Sequence, residues 1–412
     1  MIKFSLRKHV LAIFAFAAIF SISNLSAESF LTGNVGACLD YTAKKNLSDE
    51  YDPNVNLNAY FEGQFNFSEN FWGHLGMSIS TDNFVASGLF QAIPSLFEID
   101  ELSLVYRSTY QNFSNYFGAF LGYFDPIGSD IFLQRYLGST QISSKTSTSW
   151  LGRDATPYPQ YGIGISDVAK LNAAPIAIGT YFYFNDREPT NSYFLNADLR
   201  IAGLYRYCTF DTSFGVGFLK SGSGTSILSI DKVTLHGGAT ILIGNKYTQS
   251  LFLHTGIYNL IAETGSPITF TSDDFYFFVE PRFVFNYLNL NTCFYYMPDD
   301  NTKDAMDFVY QNLGANIDIY TDSLAIGDKN CTIGFLTSIA FPGKKIDDLF
   351  TSFTTFIQST NDVDLYLTPY FSTTFLSGTF STQLDVNLMG FFRPSTKWYE
   401  HIGFKAGYTI QF

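Results

Sequence analysis

The sequence has 412 residues and a formal net charge of −13, from 24 Lys and Arg against 37 Asp and Glu. Its acidic balance disfavours a nucleic-acid partner. Charged residues are only 15% of the chain, whereas a soluble domain usually carries about a quarter. The four cysteines (Cys38, Cys208, Cys293 and Cys331) show no CxxC or His spacing, which argues against a metal finger and leaves both a disulfide and free buried thiols open.

The N-terminal residues predict a secretory signal peptide. Three basic residues precede an apolar run from Val10 to Phe20, and the small residues Ser26 and Ala27 follow it. The run is short for a membrane-spanning helix, which needs about 20 apolar residues. We therefore expect a signal peptide over residues 1–27 and a mature domain over residues 28–412. Removing the three basic residues leaves 21 basic against 37 acidic residues, a charge of −16.

Residues 60–80, YFEGQFNFSENFWGHLGMSIS, alternate apolar and polar side chains with a period of two. This is the period of a β-strand with one apolar face and one polar face. A three-residue turn in the middle would pair Phe65 with Gly73 and Phe67 with Phe71 across a hairpin. The apolar face of such a hairpin must lie against either a core or lipid.

The same alternation recurs along the rest of the chain and predicts about 18 strands of ~10 residues. Between these predicted strands, short connections alternate with long ones. Membrane barrels show this pattern, with short periplasmic turns and long extracellular loops. The expected fold is all-β, a transmembrane antiparallel up-and-down β-barrel of about 18 strands, with about 14 as the lower bound. The expected starts of the strands are near residues 29, 55, 71, 97, 113, 160, 174, 192, 208, 228, 248, 273, 288, 312, 331, 363, 378 and 400.

The final residues, HIGFKAGYTIQF, resemble the C-terminal signal of bacterial outer-membrane β-barrel proteins. Phe412 matches the terminal aromatic residue of that signal, and Ile410 and Tyr408 match its alternating apolar positions. The resemblance implies an outer-membrane location, contact with outer-membrane lipid and recognition by the barrel assembly machinery.

The side chains on the polar face of the predicted strands carry charges of both signs. Charged groups at membrane depth are tolerated in a watery or mutually paired interior, which favours an aqueous channel. The alternative is that Asp198, Arg200, Glu280 and Arg282 pair off and hold the wall together. The residues expected to line the pore are Glu62, His74, Asp198, Arg200, Glu280, Arg282, Asp318, Asp364, Asp385 and Lys405.

The longest connection, residues 124–159, is the third long loop and in that rank resembles the third loop of general porins. In those proteins this loop folds into the barrel and narrows it. The alternative is a loop that packs over the mouth or is displayed outside. If the likeness holds, the constriction would include Asp125, Asp130, Arg135, Lys145, Arg153 and Asp154.

His236 and His254 share the inward parity on either side of a predicted turn over residues 244–247. With that turn they would face each other, where they could bind a metal ion or repel each other when protonated. A zinc site needs further ligands, and the sequence indicates none. The alternative is two histidines that line the lumen independently.

No Gly-x-Ser-x-Gly elbow or comparable motif marks a catalytic residue, so we expect no enzyme, cofactor or metal. The sequence favours a porin-like channel for passive diffusion of small polar solutes, with a mild cation preference from its acidic surplus. Two alternatives stay open: a barrel like the long-chain fatty-acid transporters, which would take up hydrophobic compounds, and a surface adhesin displayed on a barrel. General porins form homotrimers, and the resemblance extends that expectation to this chain.

Overall fold

The computed structural model describes residues 30–45, 51–81, 83, 95–138, 142–147, 161–185, 194–220, 228–245, 247–298, 308–326, 329–342, 344–346, 363–392 and 397–412. The expected signal peptide lies outside the described residues, as do Arg153 and Asp154. Within the described ranges, the structure contains no helix long and apolar enough to cross a membrane.

Eighteen antiparallel strands form one sheet, in which each strand pairs with its neighbours along the chain. The strands are β1 (Leu31–Lys45), β2 (Tyr51–Ser68), β3 (Phe71–Thr81), β4 (Ser95–Thr109), β5 (Phe113–Tyr123), β6 (Tyr161–Leu171), β7 (Ile176–Asn185), β8 (Phe194–Tyr205), β9 (Cys208–Lys220), β10 (Leu228–Gly244), β11 (Gln249–Glu263), β12 (Phe275–Val284), β13 (Asn289–Tyr296), β14 (Leu313–Ile326), β15 (Lys329–Ala340), β16 (Asp364–Phe375), β17 (Gly378–Asn387) and β18 (Ile402–Gln411).

The sheet closes on itself because β18 pairs with β1 as well as β17. At the seam, the amide of Phe412 donates to the carbonyl of Gly33 over 2.9 Å, and the amide of Gly33 donates back over 3.0 Å. The Phe412 ring stacks on Phe61 with centroids 6.0 Å apart. Closure removes the edge strands that an open sheet would expose. The predicted up-and-down barrel of about 18 strands is confirmed.

The connections alternate in length as the sequence predicted. Short turns such as 206–207 and 376–377 follow even-numbered strands, and long connections such as 124–160 and 341–363 follow odd-numbered ones. In the turn after β16, Leu376 and Ser377 have positive φ values of 45° and 65°. The Tyr408 hydroxyl donates to the carbonyl of Leu376 over 2.8 Å and so helps to hold this strained two-residue turn.

The β2–β3 hairpin confirms most of the predicted register. Phe65 pairs with Gly73 as predicted, but the expected pairing of Phe67 with Phe71 is wrong. The turn contains two residues rather than three, so Ser68 pairs with Phe71 and the register shifts by one residue at Phe67. The rings of Phe67 and Phe71 still lie 5.0 Å apart.

The two faces of the wall differ in polarity. Along β7, Phe182 and Phe184 are 54% and 50% exposed, whereas the intervening Tyr181 and Tyr183 are each 6% exposed. The outward face of the barrel is thus apolar and the inward face polar or aromatic, as in barrels whose exterior contacts lipid.

Candidate channel lumen and the loop that crosses it

The long connection after β5 turns inward at Asp125, which has a positive φ of 48°. Arg135 forms ion pairs with Asp125 over 2.6 Å and with Glu101 of β4 over 2.7 Å. The Tyr181 hydroxyl of β7 donates to Asp125 over 2.9 Å. Burial opposes the charge of Arg135, but the Glu101 and Asp125 carboxylates outweigh it and raise the pKa of Arg135 above its usual value. This cluster fixes the start of the loop to the wall.

Arg200 of β8 holds the same part of the loop from a second strand. Its Nε donates to Asp211 of β9 over 2.7 Å, and its Nη2 contacts the other carboxylate oxygen, which makes a bidentate pair. Its Nη1 donates to the backbone carbonyl of Asp125. The guanidinium carbon lies 4.2 Å from the centre of the Phe132 ring. Arg200 therefore joins two wall strands to two points of the loop.

Glu280 of β12 holds the later part of the loop and is fully buried. The hydroxyls of Ser144 and Thr146 donate to its carboxylate over 2.6 and 2.9 Å. Arg282 donates to Glu280 through Nε over 2.7 Å and to the carbonyl of Ser143 through Nη2 over 2.6 Å. Loop groups thus form hydrogen bonds to both members of the buried ion pair. We call Glu280 and Arg282 the latch.

The described loop residues pass through the interior of the barrel. Their wall partners lie on β4, β7, β8 and β12, and Asn316 of β14 donates to the carbonyl of Thr146 over 3.4 Å. In a ring of 18 strands, β4 and β14 lie on nearly opposite sides. A segment that bonds to inward side chains on both sides has to cross the lumen.

The loop carries its own apolar core into the lumen. Phe132, Leu133, Tyr136 and Ile142 are at most 1% exposed. They belong to one cluster with wall residues such as Val105 of β4. A short helical turn from Leu133 to Leu137 ends at Gly138, whose φ is 68°. Much of the hydrophobic burial of this protein therefore lies between the loop and the inner wall.

The expected constriction residues have different roles in the structure. Asp125 and Arg135 pair with each other, as described above. Asp130 accepts from the amide and the hydroxyl of Ser143 over 3.1 and 2.9 Å, so it shapes the loop internally. The Lys145 side chain is exposed, while its amide donates to Glu280 over 2.9 Å.

The expected pore-lining charges of β8 and β12 are engaged in polar contacts. Glu280 and Arg282 pair with each other over 2.7 Å. Arg200 binds Asp211, and Asp198 contacts His236 over 3.0 Å. Asp211 is not among the expected pore-lining residues, although it is the single acidic residue of β9.

The other expected pore-lining residues lie on β2, β3, β14, β16, β17 and β18. Tyr370 donates to Asp318 over 2.9 Å, Asn387 donates to Asp364 over 3.3 Å, and Thr368 donates to Asp385 over 2.7 Å. Lys405 lies 3.9 Å from Asp40, and His74 lies 3.4 Å from Glu101. Glu62 lies on β2 opposite Gly76 of β3 and is half-buried.

The expected pairing of His236 with His254 is wrong. The residues of the β10–β11 ladder nearest the turn pair Gly244 with Ser250, so His254 stands opposite Thr240. The turn between β10 and β11 is centred two residues later than predicted. His254 bonds to Thr240 over 2.6 Å, whereas His236 lies beside Gly215 of β9.

The connection between β13 and β14 also enters the lumen, which the sequence did not predict. Val309, in the connection between β13 and β14, is 4% exposed. It belongs to the same hydrophobic cluster as Phe132 and Tyr136 of the long loop. The Tyr310 ring stacks on Tyr366 of β16 with centroids 3.6 Å apart. Its hydroxyl donates to Asp385 of β17 over 3.4 Å.

Buried acids outnumber buried bases in the described part of the chain. The buried guanidinium groups are those of Arg200 and Arg282. The buried acids are Asp100, Glu101, Asp125, Asp211, Glu280, Asp318 and Asp364.

No family model matches the chain, and no curated protein matches it. Among solved structures it is similar to OccAB3 of Acinetobacter baumannii, with 8% identity, 93% of this chain and 99% of the other covered, and a TM-score of 0.47. It is also similar to a triple mutant of the porin of Rhodopseudomonas blastica, with 12% identity, the same coverage and a TM-score of 0.40.

The strand ladder itself defines the class of protein. A closed ring of 18 antiparallel strands, an apolar outer face, a polar interior and alternating short and long connections are the features of an outer-membrane, porin-like barrel.

Proposed function

We propose that this protein is an outer-membrane channel through which small polar solutes diffuse passively, with a mild preference for cations. The observation that carries the proposal is the loop that crosses the lumen while tied to charged wall residues. A barrel that only displays surface loops has no need of an internal segment bonded to Glu280 and Arg200 of the wall. Such a segment sets the width of a passage.

The acidic interior supports the preference for cations. Seven buried carboxylates face two buried guanidinium groups among the described residues. Arg135 and Lys405 offset part of this surplus, and both lie within 4.0 Å of a carboxylate. A water-filled passage bounded by excess negative charge attracts cations and repels anions.

The cellular setting is part of the same proposal. Residues 1–27 act as a cleaved signal peptide, and Tyr408, Ile410 and Phe412 act as the signal for the barrel assembly machinery. The folded barrel then resides in outer-membrane lipid as a homotrimer. Cleavage is testable by N-terminal sequencing of the exported protein, and the trimer by cross-linking in membranes.

The experiment that tests channel function is single-channel recording of the refolded barrel in a planar lipid bilayer. We expect discrete, stable conductance steps, and a reversal potential in a salt gradient whose sign indicates cation preference. A folded barrel that inserts without conducting would contradict the channel. A conducting barrel with an anion-selective reversal potential would contradict the charge assignment alone.

A further inference from the structure

A cavity of about 80 Å³ lies between the loop and the wall strands β7 to β12. One water needs about 10 to 15 Å³ of such volume, so the cavity has room for several waters or one small organic molecule. Its lining includes the carboxylates of Asp125 and Asp198, the guanidinium group of Arg200, His236, and the rings of Phe120, Tyr181 and Tyr276. Two carboxylates against one guanidinium group, beside several aromatic rings, favour a cation over an anion.

The carboxylate of Asp198 is held in place by two polar contacts. The Tyr183 hydroxyl donates to it over 2.9 Å, and Nε2 of His236 lies 3.0 Å from its other oxygen. The Asp198 side chain is 17% exposed and that of His236 is 10% exposed. Both groups therefore remain accessible from the cavity although they lie well inside the barrel.

A glycine makes room for this pair. A Cβ added at Gly215 would lie 2.2 Å from both Oδ1 of Asp198 and Nε2 of His236. The contact thus occupies the space directly above Gly215. Gly238 is a second such position, where an added Cβ would lie 3.0 Å from the Tyr276 hydroxyl and 3.1 Å from Ile127. The backbone beneath the cavity is kept free of side chains at both places.

Acidic groups are in excess around the cavity. We count histidines as neutral. The guanidinium groups are those of Arg135 and Arg200, and the carboxylates are those of Glu101, Asp125, Asp198 and Asp211. Arg200 is matched by Asp211, and Arg135 is shared between Asp125 and Glu101. Asp198 contacts the imidazole of His236 over 3.0 Å. An added cation would therefore improve the local charge balance.

We propose that this cavity binds a small organic cation, an alkylammonium group. Its nitrogen would bond to the Asp198 carboxylate, and its carbon atoms would lie against the rings of Tyr181 and Tyr276. An ammonium group gains from a carboxylate and from the faces of aromatic rings, whereas an anion would be repelled by the same wall. The site extends the proposed channel function, because it names a solute class that the lumen would retain.

The test is calorimetric titration of the folded, full-length barrel in detergent at pH 8, with ethylammonium as the probe and ethanol as an uncharged probe of similar size. We expect saturable binding of one ethylammonium per chain, at least tenfold tighter than any binding of ethanol. Equal binding of the two probes, or no saturable binding of ethylammonium, would overturn the proposal. This arm uses only the unaltered protein, so it does not depend on whether a variant folds.

Two variants locate the site. Asp198→Asn removes the negative charge, and we expect at least tenfold weaker binding of ethylammonium. Asp364→Asn is the matched control, because it removes another buried inward carboxylate on β16, and we expect unchanged binding. Equal affinity of Asp198→Asn and the wild type would overturn the site. Bilayer recording of the same preparations separates the two proposals, since binding without conductance contradicts only the channel, and conductance without binding contradicts only the site.

Discussion

Gly128 is a loop position where both the backbone and the packing exclude a side chain. Its φ is 88°, and an added Cβ would lie 2.5 Å from Cε1 of His254. Gly138 has a similar φ of 68°, but an added Cβ there would meet no atom within 4 Å. The two glycines separate the conformational requirement from the packing requirement.

We predict that Gly128→Ala destabilises the docked loop more than Gly138→Ala does. Both variants carry the left-handed backbone cost of about 1–2 kcal/mol. The contact with His254 adds about 1–3 kcal/mol for Gly128→Ala alone. Limited trypsin digestion at Arg135, in parallel with urea unfolding, measures the difference. Equal protection of Arg135 in the two variants would show that Gly128 does not pack against His254 as described.

At the same scale, some residue roles were predictable from the sequence and others were not. The period of two correctly placed Glu280 and Arg282 on the inward face, because parity alone decides the face. It did not reveal that Arg200 bonds to Asp211, since the partner of a charge depends on register between strands. The error for His236 and His254 has the same origin: a turn displaced by two residues changes every facing pair of the ladder.

At the scale of elements, the strands were predictable because each combines alternating polarity with turn residues at its ends. The expected starts near 113, 208, 228 and 378 coincide with the observed ones. The path of the long loop was not predictable in this way. It has no period, and its position depends on wall groups more than a hundred residues away, such as the bond from Ser144 to Glu280.

The latch is the element that holds the later part of the loop to the wall. We predict that Glu280→Gln loosens residues 143–146 and gives a larger, noisier conductance in bilayer recordings. The variant leaves Arg282 buried without its carboxylate partner, and breaking a buried ion pair in this way costs about 3–5 kcal/mol. Asp364→Asn serves as the control, because Asp364 is another buried inward carboxylate and accepts from Asn387 of the neighbouring strand β17 over 3.3 Å.

Open-state noise separates this interpretation from a general loss of stability. A barrel that is destabilised as a whole would insert less often, with unchanged steps once inserted. A displaced loop would change the steps themselves. Steps of Glu280→Gln that match those of the wild type in size and noise would mean that the latch does not position the loop.

At the scale of the whole molecule, the architecture separates two tasks. The closed ladder satisfies the backbone of every strand and gives the apolar exterior that lipid requires. The interior is then free to carry charges, provided that they are paired or hydrated. The acidic surplus of the sequence and the buried carboxylates of the wall are therefore compatible with a stable barrel, and they are available to select ions.

We predict that Asp318→Asn together with Asp385→Asn lowers the cation preference of the channel. Both side chains lie on the inward face, where Asp318 accepts from Tyr370 and Asp385 accepts from Thr368. Removing two negative charges from the wall reduces the attraction for cations, so the reversal potential in a salt gradient should move toward zero.

Asp273→Asn is the control, because Asp273 is 53% exposed and pairs with Lys345 in another long connection. At physiological ionic strength an exposed charge is screened within about 8 Å, so this variant should keep the wild-type potential. If the double variant also keeps it, the charges that select ions lie elsewhere along the passage, and the acidic surplus around the loop becomes the next region to change.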